Sequence, residues 1–388
     1  MPLRTGERLE VRPMALVAGG ESISRTDGLP IFVRGLYPGD VALIEIVESK
    51  KGWARGRVVE LRLASPERRA APCPVAEECG GCDWTALRLD AQLRAKHQIL
   101  IESLRRIGRL DPASLPPIRI HVSPLNYRLR SRLHHDPATG AVGFFAAGSH
   151  RVIPLPVECE VVGPLLIKNI ERVRTVARER NSSIRTFEQG SRLIVEAIGD
   201  EPSDILIHTS RFRFHLFSSS FFQVNRHLLD TLLELVSDLA SRVSRTAAAC
   251  DLYAGAGFFT LPLSEKFEQV TAVEEDRDSA ALAGTNSGPA GNVEIIAMPV
   301  EEYLRTRSEP TDLALVDPPR AGLGRGVIAD LDRLTREKIG YLSCDPVTFS
   351  RDASRLAACG WRIDSLHLVD LFPNTHHIET FSSWSRAG

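Results

Sequence analysis

The sequence contains no run of about 18 apolar residues, the length a membrane-crossing helix requires, so no membrane span is expected. Its opening, MPLRTGERLEVRP, lacks the apolar stretch of a secretory signal. An excess of either charge is also missing: 48 Lys and Arg face 49 Asp and Glu, for a net charge of −1. Bulk charge therefore gives no pointer to a nucleic-acid partner. Lysine is scarce, with 6 against 42 arginines. Cysteine is neither abundant nor paired, since seven in 388 residues argue against a disulfide scaffold and for a reducing compartment. A cytoplasmic monomer without an evident protein partner is expected. With 43% hydrophobic and 25% charged residues, the chain is not largely disordered, and its length suits two or three domains.

What is present is unevenly spread. Residues 84–151 hold 11 Lys and Arg against 4 Asp and Glu, a local excess of +7, whereas residues 301–388 hold 11 against 13. A cationic middle beside a near-neutral C-terminal part suits a polyanion-binding module joined to a catalytic domain, or simply an arginine-rich composition. Residues 5–63 alternate apolar and polar residues in about five short segments broken by Gly, Asp and Pro, which predicts a small β-barrel. Its turn Lys50-Lys51-Gly52-Trp53-Ala54-Arg55-Gly56 combines three cations with an aromatic, a set able to hold phosphate and stack a base. A long amphipathic helix is expected over 84–110, then an α+β stretch over 118–215 with one helix in PLLIKNIERVRTVARER. From FFQVNRHLLD onward, helices alternate with six short apolar strands, the pattern of a doubly wound, mostly parallel sheet.

In such a sheet, ligands bind beyond the carboxyl ends of the strands. Asp251-Leu252-Tyr253-Ala254-Gly255-Ala256-Gly257 closes the first strand and opens a helix, where glycine allows close backbone approach. The next strand ends at Glu274, placed to accept ribose hydroxyls. No third glycine completes a pyrophosphate cradle, which favours S-adenosylmethionine (SAM) over NAD. Asp317-Pro318-Pro319-Arg320 ends a further strand, and Ser343-Cys344-Asp345-Pro346 the one after. A strand-end cysteine is commonly a packing residue. Here the polar neighbours, Asp317 at the same edge and the C-terminal His376-His377-Ile378-Glu379 point instead to a reactive thiol. Cys73-x5-Cys79-x2-Cys82 lies on a Gly-containing loop suited to metal, and four thiolates would serve a [4Fe–4S] cluster or structural zinc.

Taken in order, FFQVN (221–225), DLYAGAGFFTLPL (251–263), VEED (273–276), DPPRAGL (317–323), SCDPVTFSRD (343–352) and HIETF (377–381) resemble the RNA (uracil-5-)-methyltransferases, over nearly the whole chain. The resemblance implies an α/β fold with three parts. These are an OB-like TRAM barrel for RNA binding (1–64), a central α+β domain with a cysteine cluster (65–215), whose helix over 84–110 can pack on the catalytic domain, and a Rossmann-like SAM-dependent methyltransferase domain (216–388). It also implies Cys344 as the nucleophile and Glu379 as the base, with Gln223, Tyr253, Gly255, Glu274 and Asp317 at the SAM site. Cys159 is implied as the fourth cluster ligand beside Cys73, Cys79 and Cys82, as in the iron–sulfur-containing 23S rRNA branch. The implied product is 5-methyluridine, most readily in 23S rRNA, with Cys250 and Cys359 left as packing residues. Phe258 and Pro299 depart from that branch and imply a more apolar cofactor site. Two other readings are an amino-group methyltransferase using the DPPR motif and a non-catalytic RNA-binding protein.

Overall fold

The computed structural model describes residues 3–386. At the N-terminus, β1 (Arg8–Val11), β2 (Ala15–Leu16), β3 (Ser22–Thr26), β4 (Leu29–Val33), β5 (Val41–Lys50) and β6 (Trp53–Leu63) form one sheet in the order β1-β5-β6-β4-β3-β2. Alternation along the strands sends Val11, Ile31, Val33, Ile44 and Ile46 into one small core. The cationic turn is the β5–β6 hairpin, closed at the Lys50–Trp53 pair. Its charges are largely spent within the barrel: Arg55 makes a two-pronged bond to Glu21 (2.7 and 3.0 Å), and Lys50 lies 3.4 Å from Glu48. Trp53 is half-buried, edge-on to Phe32 and under the Arg55 guanidinium.

Helix α1 (Leu89–Arg106) follows the cysteine loop, and strand β7 (Ile118–His121) follows α1. Although both fall within 65–215, they pack on the C-terminal sheet: Leu100 and Leu104 of α1 enter its core, and β7 forms its edge. Strands β8 (Arg130–His135), β9 (Val142–Phe145), β10 (Val152–Pro154), β11 (Ile184–Gln189) and β12 (Arg192–Ala197) make an antiparallel sheet in the order β10-β9-β8-β11-β12. Against it lie α2 (Pro164–Lys168) and α3 (Ile170–Arg180). The single helix expected there is interrupted at Asn169, which leaves helical geometry while its side-chain amide donates to the Leu165 carbonyl (2.8 Å). A hairpin of β13 (Asp204–His208) and β14 (Arg213–Phe217) leads onward.

The C-terminal part runs α4 (Leu229–Ser241), β15 (Ala248–Leu252), α5 (Thr260–Ser264), β16 (Gln269–Glu274), α6 (Arg277–Ser287), β17 (Val293–Ala297), α7 (Val300–Thr306), β18 (Thr311–Val316), α8 (Arg325–Leu334), β19 (Thr335–Ser343), α9 (Pro346–Ala358), β20 (Trp361–Val369) and β21 (Glu379–Arg386). Its eight strands are ordered β17-β16-β15-β18-β19-β21-β20-β7. The six strands read from the sequence are present, and all but β20 run parallel to a neighbour among them. β21 slots antiparallel between β19 and β20, and β7 adds at the far edge. Every residue of β18 is buried, as expected of a central strand covered on both faces. Cys250 is buried in β15, and Cys359 packs against the same core. Among the described residues, no helix is long and apolar enough to cross a membrane.

Lys96 of α1 is fully buried, with its ammonium donating to Asp370 (2.6 Å) and to the Phe372 carbonyl (3.0 Å). Burial pulls this lysine's pKa down, and Asp370 opposes that shift. Lys96→Met removes the cation while leaving a buried carboxylate, so it is expected to cost about 3–5 kcal/mol in chemical denaturation. Lys96→Met/Asp370→Leu should recover most of that loss.

Candidate active site and cysteine cavity

The turn after β15 is shaped by left-handed backbone at Tyr253 (φ +64°), Gly255 (φ +54°) and Gly257 (φ +81°). Tyr253 is the informative one, because a non-glycine residue in this region is held there by its surroundings. Its hydroxyl donates to Glu301 (3.2 Å). At Gly257 an added Cβ would come within 3.2 Å of Ala283 Cα, so glycine lets α6 approach. Glu274 accepts one amide hydrogen bond on each carboxylate oxygen, from Gly255 and Asp276 (both 2.9 Å), which fixes its direction. Below the turn, Asp251 accepts from Thr260 Oγ1 (2.6 Å) while its other oxygen is buried without a partner. Burial pushes this carboxyl up to about 7.

Phe258 is buried against Phe214, Phe222 and Phe259, with ring centroids 4.9–5.2 Å away, and also lines the cleft above. Pro299 caps α7 and does not line that cleft, whereas the following Val300 and Glu301 do. The apolar character implied by these two positions is therefore carried by Phe258.

Three acidic or nucleophilic groups meet beyond the strand ends. Asp317 follows β18 directly, with its amide donating to the Leu252 carbonyl (3.3 Å). Cys344 follows β19, and Asp345 then caps α9 by accepting from Val347 and Thr348 amides (2.9 and 2.8 Å). Because β21 runs antiparallel to β19 with Ser343 opposite Thr380, the next residues out, Cys344 and Glu379, share one end of the pair. Glu379 is buried, and Cys344 and Asp317 are half-buried.

Their electrostatics are coupled. Burial, reinforced by Glu379 and Asp317, pushes the Cys344 thiol up to about 11. Burial and then Asp317 raise Glu379 well above the usual carboxylate range. Asp317 rises to about 8 through burial and the Asp251 charge. Arg320, also on the cleft wall, opposes the shifts of both Cys344 and Glu379. The DPPR arginine is thus the cation that acts on both Cys344 and Glu379. This cluster of acids invites a positive ligand.

The cleft has a volume of 1440 Å³ and brings together Gln223, Tyr253, Gly255, Glu274, Asp317, Cys344 and Glu379. Its opposite wall comes from the central sheet: Arg128, Arg130, Arg132 and Arg185 line it, and Phe221 stands 64% exposed with the Arg130 guanidinium over its ring. Only part of the cationic segment 84–151 therefore faces the site. On α1, Arg94 is paired with Asp90 and Glu67, and Arg105 and Arg106 with Glu102. Sequence reading missed Phe221 and Arg130 as wall residues; the aromatic pair that opens FFQVN, just before Gln223, was the available signal.

Residues 190–383 match the family model described as tRNA (Uracil-5-)-methyltransferase, and residues 2–59 match the TRAM domain. An RNA methyltransferase of Bdellovibrio bacteriovorus is 31% identical over 97% of this chain and 95% of its own. The chain belongs to the RNA (uracil-5-)-methyltransferase family. A Gloeobacter violaceus RNA methyltransferase is 29% identical over 99% of this chain and 98% of its own. In fold, the chain matches the Pyrococcus abyssi tRNA (uracil-54, C5)-methyltransferase, solved with S-adenosyl-L-homocysteine. That match has a TM-score of 0.75 and 22% identity, over 96% of this chain and 99% of the other. The protein is therefore an RNA-modifying, SAM-dependent enzyme with an N-terminal TRAM barrel, rather than a non-catalytic binding module.

Outside the active site of this methyltransferase, a second, narrow cavity is lined by Cys73, Cys79, Cys82 and Cys159 together with Phe144, Leu155 and Asn374. The CGGC loop is zipped onto β9 by the Gly80 amide donating to the Phe145 carbonyl (2.8 Å), where a Cβ on Gly80 would sit 2.9 Å from that oxygen. Burial raises the thiols of Cys73 and Cys79 and pushes Cys82 up to about 12, with Cys159 adding to each shift. Four thiols lining one narrow cavity, Cys159 buried and the other three half-buried, are a donor set that a metal could deprotonate. Yet no three His, Cys, Asp or Glu side chains among the described residues are placed to hold a metal ion.

Proposed function

We propose that this enzyme methylates C5 of a uridine by covalent catalysis at Cys344. The observation that carries this reading is the placement of Cys344 and Glu379 at one end of the β19–β21 pair, beside Asp317. C5 of uracil is a weak nucleophile. Addition of the Cys344 sulfur to C6 moves the ring electrons toward C5, which can then attack a methyl group in line. SAM supplies that methyl as a positively charged sulfonium, a charge matched to the acids of the cleft. Glu379 takes the C5 proton, the C5–C6 double bond re-forms, and the C6–S electron pair returns to Cys344. Glu274 is oriented for the ribose hydroxyls, while Gln223, Tyr253, Gly255 and Asp317 complete the cofactor wall. The target base must leave its stack to enter, and Phe221 with the wall arginines offers a stacking and phosphate-binding surface.

The proposed target is 23S rRNA, supported by the likeness of the cysteine segment to the ribosomal branch of the family. Mapping 5-methyluridine in rRNA and tRNA from cells with and without the gene tests it. Loss at one 23S position is expected; loss confined to tRNA would move the target there.

For the cysteine cavity, the reading is a [4Fe–4S] cluster on Cys73, Cys79, Cys82 and Cys159, which would fix the loop rather than perform redox chemistry. Anaerobically purified protein is expected to carry iron and sulfide with broad absorbance near about 400 nm. Cys82→Ser should lose both. Stoichiometric zinc without iron would refute the assignment.

A further inference from the structure

Directly after Cys82, the chain turns away from the cysteine cavity and grips the loop that leads to Glu379. The amides of Asp83 and Trp84 both donate to the Asn374 carbonyl (3.2 and 3.0 Å). Asp83 accepts from the His376 amide (3.0 Å) and pairs with the His376 ring at Nδ1 (2.5 Å). Trp84, fully buried, shares one apolar cluster with Ile378, the residue immediately before Glu379. The segment 374–378 is thus held by two consecutive residues through both polar and apolar contacts.

Asn374 makes the anchorage tighter. It is fully buried in left-handed backbone (φ +67°), and its polar atoms reach three separate elements. Its amide donates to Gln92 of α1 (2.8 Å), and its side chain donates to Glu160, the neighbour of Cys159 (3.0 Å). Its side-chain oxygen accepts from Arg69 (2.9 Å). The barrel closes over the same spot. Gly20 accepts from the Trp84 indole (3.1 Å), and a Cβ at Gly20 would overlap Asp83 and come within 2.9 Å of His376 Cβ. Barrel, cysteine loop and catalytic strand therefore meet at one hydrogen-bonded pair.

We infer that the Asp83–His376 pair is a positioning clamp that sets Glu379 for removal of the C5 proton, coupling the cysteine loop to that one step. This rests on the role proposed above for Glu379. Cys344 is carried by β19 and Asp317 by β18, neither of which the clamp touches, so thiol addition and methyl transfer should survive its loss. When the clamp is loosened, the methylated ring waits on Cys344 with its C5 proton in place. Only after that proton passes to Glu379 does the C–H electron pair form the C5–C6 double bond and expel the sulfur.

The test uses the full-length, metal-loaded enzyme with SAM and a methylatable RNA, comparing wild type, Asp83→Ala, His376→Ala and His376→Asn. Turnover of the two alanine variants should fall about tenfold to a hundredfold, the usual cost of a remote misplacement. A denaturation-resistant protein–RNA complex should build up with ordinary RNA, which the wild type releases. Capture of 5-fluorouridine RNA, which precedes proton removal, should stay at the wild-type rate. His376→Asn, which keeps a nitrogen near the Nδ1 position, should recover turnover. Iron content reports whether Asp83→Ala disturbs the cavity, and His376→Ala leaves that loop's sequence intact. Wild-type turnover in both alanine variants would overturn the clamp, as would parallel loss of capture and turnover. Failure of the wild type to capture 5-fluorouridine RNA would instead sink the Cys344 reading itself.

Discussion

Cys344→Ala is expected to lower methyl transfer by at least about 10⁴-fold while SAM binding, measured by calorimetry, stays at the wild-type level. Without addition at C6, the ring has no carbanion character at C5, and nothing else in the cleft can supply it. The residues proposed to hold SAM (Gln223, Tyr253, Gly255, Glu274 and Asp317) lie on other segments of the cleft, so deletion of one sulfur beyond β19 should leave them in place. The same variant separates the proposal from an amino-group methyltransferase built on the DPPR motif. Such an enzyme would use Asp317 and the two prolines and would keep its rate without the thiol. Retained activity in Cys344→Ala would assign the chemistry to that reading.

Glu379→Gln should have the second-largest effect, a fall of about 10²–10⁴ in turnover, the usual contribution of a positioned base. Unlike the cysteine variant, it should still bond covalently to RNA and accumulate that complex with an ordinary substrate. The pH dependence follows from the direction of the shifts. Glu379 acts as base only when ionised, and its pKa lies well above the ordinary carboxylate value. Cys344 attacks only as thiolate, and its thiol stands at about 11. Both functional forms become more populated as pH rises, so single-turnover rates should increase from acid through neutral pH. Bound SAM, being cationic, favours both ionised forms and should move the rise to lower pH. A rate that falls over this range would contradict the assignment of base and nucleophile.

Much of the site was legible because its parts are local in sequence. The turn at Gly255 and Gly257, the strand-end Asp317 and Cys344, and the carboxylate at Glu274 each lie next to a recognisable apolar strand. Periodicity alone supplied the parallel sheet. Long-range pairing was less visible. β21 reads ETFSSWSR, whose buried serines carry little strand signal, yet it inserts beside β19 and brings Glu379 to Cys344. β7 has only four residues and joins the catalytic sheet from far upstream. Charge counting overstated the RNA-facing surface, because Asp90 and Glu102 neutralise the arginines of α1 within the helix itself. Asn374 was silent altogether: an asparagine in a PNT turn reads as a loop residue, and its importance lies in partners 282 and 214 positions away.

The most direct test of the central claim is mass spectrometry of the complex formed by the wild-type enzyme, SAM and 5-fluorouridine RNA. Fluorine at C5 cannot be removed as a proton, so the reaction should stop with enzyme and RNA joined. The expected result is a methylated fluorouridine bonded to the peptide that carries Cys344. A complex joined through any other cysteine, or methylated RNA produced under these conditions with no covalent intermediate, would contradict it.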